Sequence, residues 1–259
     1  MEEPMPAPVN TFKAALAARQ PQIGLWVAFG SPNVAELLSH CGYDWLVIDG
    51  EHAPNDLPLM LAQLQAVQAG GAHPVIRVPQ AEAWLIKQVL DIGAQTVLVP
   101  MVDTADQARA MVRAMRYPPE GIRGMGTLGR ASRYGLTSDY LTTANAQTCL
   151  LVQAESRAAL ENLDEICAVD GVDGVFIGPA DLSADMGYPG NANAPEVLAA
   201  IDDAIRRIVG HGKAAGILVG GAAPGKHALS LGATFVAVGH DVGLLRQGAL
   251  ALRAELPRS

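Results

Sequence analysis

The chain has 259 residues, half of them hydrophobic and only 17% charged, a core-rich composition that excludes a disordered protein and fits one large domain over 1–259. Its net charge of -8, with 18 scattered Lys and Arg, supplies no basic face for nucleic acid, and no stretch is long and apolar enough to span a bilayer. Cys41, Cys149 and Cys167 are odd in number and far apart, which predicts buried reduced thiols.

In chain order, residues 1–10 (MEEPMPAPVN) lack a signal-peptide pattern and read as a flexible arm on a cytoplasmic protein, followed by a short helix over 11–19. GLWVAF (24–29) is the first strand, and 33–41 a helix opened by Ser31, Pro32 and Asn33. The second strand, DWLVIDGEH (44–52), runs from apolar residues straight into Asp49, Glu51 and His52. A helix over 57–69 is expected to stop at Gly70-Gly71 through a left-handed exit. HPVIRVP (73–79), a helix over 83–90, TVLVP (96–100) and an amphipathic helix over 103–116, capped by Asp103 or Thr104, follow. Residues 117–135 carry too many Gly and Pro for an element interior, which marks a functional or interface loop. CLLVQAE (149–155), a helix over 158–169, and GVFIGPADL (174–182) as strand and tip come next. The chain ends with a helix over 198–209, strand AAGILVG (214–220), a helix over 224–231, strand FVAVGHD (235–241) and a helix over 242–256. Eight apolar strands, each followed by a helix and none joined by a hairpin signal, predict a (β/α)8 TIM barrel. An open doubly wound sheet is the alternative, weakened by the missing glycine fingerprint after the first strand.

Ionisable residues collect at the C-terminal ends of the strands, where a barrel keeps its chemistry. Gln153 and Glu155, two apart, point the same way, and the turn Gly178-Pro179-Ala180 presents Asp181 one strand on. Adjacent bare carboxylates repel, so either one takes a proton or a cation sits between them; oxygen donors alone suit Mg²⁺ or Mn²⁺. Otherwise the pair is surface-facing, with Asp181 a helix cap. Arg77, alone in an apolar strand, calls for a substrate anion, a carboxylate partner or a structural role. His52 beside Asp49 and Glu51 is either a general base or a loop histidine. None of the four lysines falls at a strand's C-terminal end, which disfavours Schiff-base chemistry.

DGEHAPND (49–56), VLVPMV (97–102), RYPPEGIRG (116–124), LVQAES (151–156) and GVFIGPADLSADMGYPG (174–190) together resemble the HpcH/HpaI family of class II pyruvate aldolases, over about residues 25–242. The resemblance implies a TIM barrel that cleaves or forms 4-hydroxy-2-oxo acids from pyruvate or hydroxypyruvate and an aldehyde. It implies a divalent cation, Mg²⁺ or Mn²⁺ with Co²⁺ or Zn²⁺ as alternatives, no organic cofactor, and an enolate held by the metal. It further implies a homohexamer, a trimer of dimers with the eighth helix swapped between subunits. By motif, Glu155 and Asp181 would hold the metal, Arg77 would polarise the keto oxygen, and His52 would be the base, directly or through a water. Asp49 would orient His52, and Asp91 would reach it from the adjacent subunit. Gln153 and the backbone of Gly178, Pro179, Ala180 and Asp181 would receive the 2-oxo acid, with Trp26 and Leu218 shaping the aldehyde end. The competing readings are a CoA-thioester lyase or one-carbon transferase on the same barrel, and a non-catalytic 2-oxo acid binding protein.

Overall fold

The computed structural model describes residues 5–256. Eight parallel strands close in sequential order into a barrel: β1 (Gln22–Val27), β2 (Trp45–Asp49), β3 (His73–Arg77), β4 (Thr96–Val99), β5 (Cys149–Ala154), β6 (Gly174–Ile177), β7 (Ala214–Leu218) and β8 (Phe235–His240). β8 pairs back onto β1, so the sheet has no edge and the open-sheet alternative is excluded.

The helices are α1 (Thr11–Ala17), α2 (Pro32–Ser39), α3 (Leu57–Ala69), α4 (Ala83–Asp91), α5 (Ala105–Met115), α6 (Tyr140–Gln147), α7 (Arg157–Glu161), α8 (Leu163–Cys167), α9 (Pro179–Asp185), α10 (Pro195–Gly210), α11 (Ala222–Ser230) and α12 (Asp241–Ala254). Their caps are local chemistry. Ser31, Asp56 and Ser156 accept first-turn amides, and Thr104 with Gln107 completes a capping box that opens α5.

Strand parity decides what faces inward. Trp26, Trp45, Val47, Val75, Leu98, Cys149, Leu151, Phe176, Phe235 and Ala237 fill the barrel interior, and Phe12 and Leu16 of α1 plug its N-terminal end. The opposite parity (Ile48, Ile76, Val97, Val152, Val175, Val236) packs under the helices. One further inward step along the same rows brings Asp49, Arg77 and Gln153 to the C-terminal mouth, and all three are buried. Glycines make room for the aromatic layer: a Cβ on Gly24 would collide with the Trp45 indole, and one on Gly216 with the Phe235 ring.

Four expectations are corrected. The exit of α3 is not left-handed: Gly70 is extended, at φ -93 and ψ -155, and glycine is needed because a Cβ there would run into Ser39 of α2. The helix expected over 158–169 is two short pieces hinged at Asn162, and α6 and α9 form where no helix was expected. Cys41 is exposed, whereas Cys149 and Cys167 are buried. In the N-terminal segment, residues 1–4 lie outside the described residues, and 5–10 are tied down. Met5, Ala7 and Asn10 donate backbone amides to Ser138, Thr143 and Gln147, and the Asn10 side chain caps α1.

Candidate active site

A cavity of about 380 Å³ at the C-terminal mouth is lined by Trp26, Asp49, His52, Arg77, Gln153, Glu155, Phe176, Gly178, Pro179, Ala180, Asp181, Leu218 and His240. It brings together eleven of the twelve site residues expected from the sequence; Asp91 is elsewhere.

β2 and β3 are in register at Asp49 and Arg77, so the two inward side chains meet side by side. Asp49 grips the guanidinium through two parallel bonds, Nε to Oδ1 at 2.9 Å and Nη2 to Oδ2 at 2.6 Å. Arg77 Nη1 lies 2.7 Å from Glu51 Oε2, an ion pair without hydrogen-bond alignment, and the guanidinium stacks 5.1 Å from the Trp26 ring. Burial pushes the Asp49 carboxyl up, but the bonds and charge of Arg77 and the amides of Glu51 and His52 outweigh it, so the group is held below the ordinary carboxylate range.

The expected orientation of His52 by Asp49 is not what the geometry shows. Asp49 Oδ1 accepts the backbone amides of Glu51 and His52, and its remaining capacity goes to Arg77. Asp49 therefore shapes the turn that carries His52 without touching the imidazole. The nearest carboxylate to the ring is Glu51, Oε2 to Nε2 at 3.8 Å, and the His52 side chain is 66% exposed. Asp91 sits at the end of α4, where Arg123 donates to it at 2.7 Å, outside the cavity of its own chain.

Across the mouth, Glu155 is buried just past β5. Its Oε1 accepts the Met101 amide at 2.9 Å and its Oε2 accepts Gln153 Nε2 at 2.7 Å. Met101 delivers that amide from a left-handed backbone, φ 53, a conformation that costs a non-glycine residue about 1 kcal/mol or more. Burial, reinforced by the charges of Glu51 and Asp181 against the Met101 bond, pushes the Glu155 carboxyl up to about 7. Glu51 is likewise raised, first by burial. Asp181 lies in the first turn of α9, behind Gly178 as N-cap, and is not itself the cap. A Cβ on Gly178 would occupy the space of the Glu155 carboxylate, so only glycine lets β6 end there.

Buried oxygens face a shortage of donors in this cavity. Gln153 Oε1 and Glu51 Oε2 are buried without a hydrogen bond, and Glu155 is destabilised as an anion. Such a set fits a hard divalent cation bound by Glu155 and Asp181 with water filling the other positions. Among the described residues there is no group of three or more His, Cys, Asp or Glu side chains poised around one ion, so a protein-only cage is not formed.

Glu51, Met101 and His240 are the contributors that sequence reasoning left unassigned. Glu51 is two residues from Asp49 and shares its alternation. Met101 acts through backbone alone and leaves no side-chain signal. His240 ends β8 next to Trp26 of β1.

A closed parallel barrel that crowds an arginine fork, acidic oxygens and an imidazole at its C-terminal mouth has the layout of a TIM-barrel enzyme. Residues 22–248 match the HpcH/HpaI aldolase/citrate lyase family, and the chain belongs to that family. It is 60% identical to a hydroxypyruvate/pyruvate aldolase of Deinococcus radiodurans, covering 95% of this chain and 89% of that one. It is 58% identical to a 4-hydroxy-2-oxo-heptane-1,7-dioate aldolase of Klebsiella pneumoniae, covering 95% and 93%. A crystal structure of a family protein from Burkholderia cenocepacia superposes with a TM-score of 0.91 at 40% identity, over 95% of this chain and 99% of that one.

Proposed function

We propose that the protein is a divalent-metal-dependent aldolase that makes and breaks the C3–C4 bond of 4-hydroxy-2-oxo acids, with pyruvate or hydroxypyruvate as the nucleophilic half and an aldehyde as the other. The observation that carries this reading is the shared cavity of Arg77, Glu155 and Asp181, in a chain more than half identical to proteins named for that chemistry.

Glu155 and Asp181 would hold the cation, Mg²⁺ or Mn²⁺ by their oxygen-only chemistry, and when bound it supplies Lewis acidity next to the keto group. Gln153 donates to Glu155 and keeps that carboxylate turned into the cavity. The 2-oxo acid carboxylate is received at the start of α9, where Ala180 and Asp181 have first-turn amides with no intrahelical acceptor. Asp49 takes Nε–H and one N–H of Nη2, and Glu51 lies 2.7 Å from Nη1, so the keto oxygen would be met by a guanidinium N–H of Arg77 that these two carboxylates leave over. In cleavage, His52 or a water beside it takes the C4 hydroxyl proton, the C3–C4 electron pair moves toward the keto group, and the aldehyde departs. Arg77 meets the negative charge that develops on oxygen. C3 then takes a proton to give the free 2-oxo acid.

The assembly we propose is a homo-oligomer, a hexamer of paired subunits. Leu244, Leu245, Leu250 and Leu252 of α12 are all exposed, and only Asp241 and Gly243 of that helix are buried. An apolar helix that does not cover its own barrel suits a place on a neighbouring subunit. Asp91, outside its own cavity, would reach His52 across that interface.

Incubating the purified protein with pyruvate, glycolaldehyde and Mn²⁺ tests the activity. A 4-hydroxy-2-oxo acid that forms with metal and not with chelator is the expected result. Equal product in both arms contradicts metal dependence, and binding of pyruvate without product from any aldehyde favours a sensor.

A further inference from the structure

The mouth of the barrel does not end at Leu218. A second cavity, about 360 Å³, adjoins the first and shares Leu218 and His240 with it; it runs between the ends of β7 and β8 past Gly220, Gly221, Gly239 and Gln247. Gly220 and Gly221 have nothing within 4 Å of where a side chain would begin, so within the single chain this side of the mouth is open; Leu244 of α12, at its outer wall, belongs to the surface proposed above for a neighbouring subunit. Arg77, Glu155 and Asp181 hold the 2-oxo acid end, and the free end of a substrate has this direction in which to extend.

His240 stands at the junction, paired in register with Trp26. Its Nδ1 accepts the Gly243 amide at 2.9 Å, as the N-cap of α12. A backbone amide can only donate, so the neutral ring carries its proton on Nε2. Among the described residues Nε2 has no hydrogen-bond partner, whereas His211 and His227 spend theirs on Asp164 and Asp202. The cap fixes the ring and leaves one N–H to offer. Among the described residues no Lys or Arg lines the second cavity, and Arg77, on β3, is the only one lining the first.

We propose that His240 is a specificity-determining residue that donates through Nε2 to a hydroxyl of the aldehyde, so that the preferred partner is a neutral, hydroxylated aldehyde and not one ending in a carboxylate. A carboxylate in this groove would meet only neutral donors, the His240 N–H and the Gln247 carboxamide, and no Lys or Arg among the described residues, a poor exchange for its hydration. An apolar aldehyde would leave Nε2 without a partner. This assignment rests on the aldolase reading above and deepens it.

The test compares D-glyceraldehyde with propionaldehyde, matched in carbon number, and with succinic semialdehyde, at fixed pyruvate and Mn²⁺. The H240L variant is expected to lower kcat/KM for D-glyceraldehyde roughly three- to tenfold more than for propionaldehyde, the worth of one neutral hydrogen bond. H240N is expected to restore the ratio, because its carboxamide oxygen can take the Gly243 amide while its NH₂ donates. A ratio unchanged in H240L overturns the assignment, as does a wild-type protein that prefers succinic semialdehyde to D-glyceraldehyde. Exchange of pyruvate C3 protons with D₂O, measured on the wild-type protein alone, separates the two levels. Without exchange the aldolase reading fails and this inference with it; with exchange and an unchanged ratio, only this inference fails.

Discussion

Arg77, Glu155 and Gly178 show how single residues define the cavity. Arg77 is bound by two carboxylates and a ring face, an arrangement that needs a planar fork. Arg77→Lys is expected to reduce kcat by roughly a hundredfold or more, the cost of one misplaced donor to a developing oxyanion, with KM for pyruvate less affected. Gly178→Ala pushes a methyl into the Glu155 carboxylate, so Mn²⁺ affinity measured by calorimetry should fall while the far-ultraviolet dichroism stays native. Glu155 also predicts a pH dependence. Its folded-state value, about 7, lies above the ordinary glutamate value of 4.5, so the folded, metal-free protein holds this proton more tightly than the unfolded chain does. That contribution to stability is complete below about 4.5 and is lost as pH rises through about 7. The melting temperature of chelator-treated protein, compared with Glu155→Gln, should therefore fall more steeply between pH 5 and pH 8 in the wild type, and Mn²⁺ should reverse the loss at the upper end. The acidic pair and the arginine were legible as residues because charge inside an apolar run demands an explanation. The orientation of His52 was not legible: which carboxylate touches the ring depends on Asp49 already being saturated by Arg77 and two amides.

At the scale of elements, strand rows did most of the work. Once Trp45, Val47 and Asp49 are assigned to one face, the mouth residue on that strand follows, and the same holds for Val75 with Arg77 and Leu151 with Gln153. Strand cores were therefore readable to within a few residues. Short helices were not. α9 has seven residues and begins at Pro179, so its sequence reads equally as a turn, and α6 carries no clear apolar stripe. The exit of α3 departs from the expected left-handed turn because Gly70 serves close packing against Ser39. Strand glycines have the same purpose inside the barrel. Gly216→Ala is expected to cost about 1–3 kcal/mol by overpacking against Phe235, lowering the melting temperature by several degrees in calorimetry.

For the whole molecule, a closed barrel leaves chemistry to one end and assembly to its outer helices. α12 exposes Leu245, Leu250 and Leu252 at 63–66%, which nothing among the described residues covers. Replacing Leu245 and Leu252 with Asp should shift light-scattering mass to a smaller species, with activity reduced if Asp91 of one subunit completes the site of another. The same closure gathers Glu155 and Asp181 from successive strand ends into one cavity, and their joint hold on a divalent ion is the claim on which the proposed chemistry stands. Anomalous diffraction from a crystal soaked in Mn²⁺ measures it directly. A single strong peak between the Glu155 and Asp181 carboxylates, absent from Glu155→Gln crystals, is the predicted result; a fully active protein whose only Mn²⁺ peak lies away from both would contradict it.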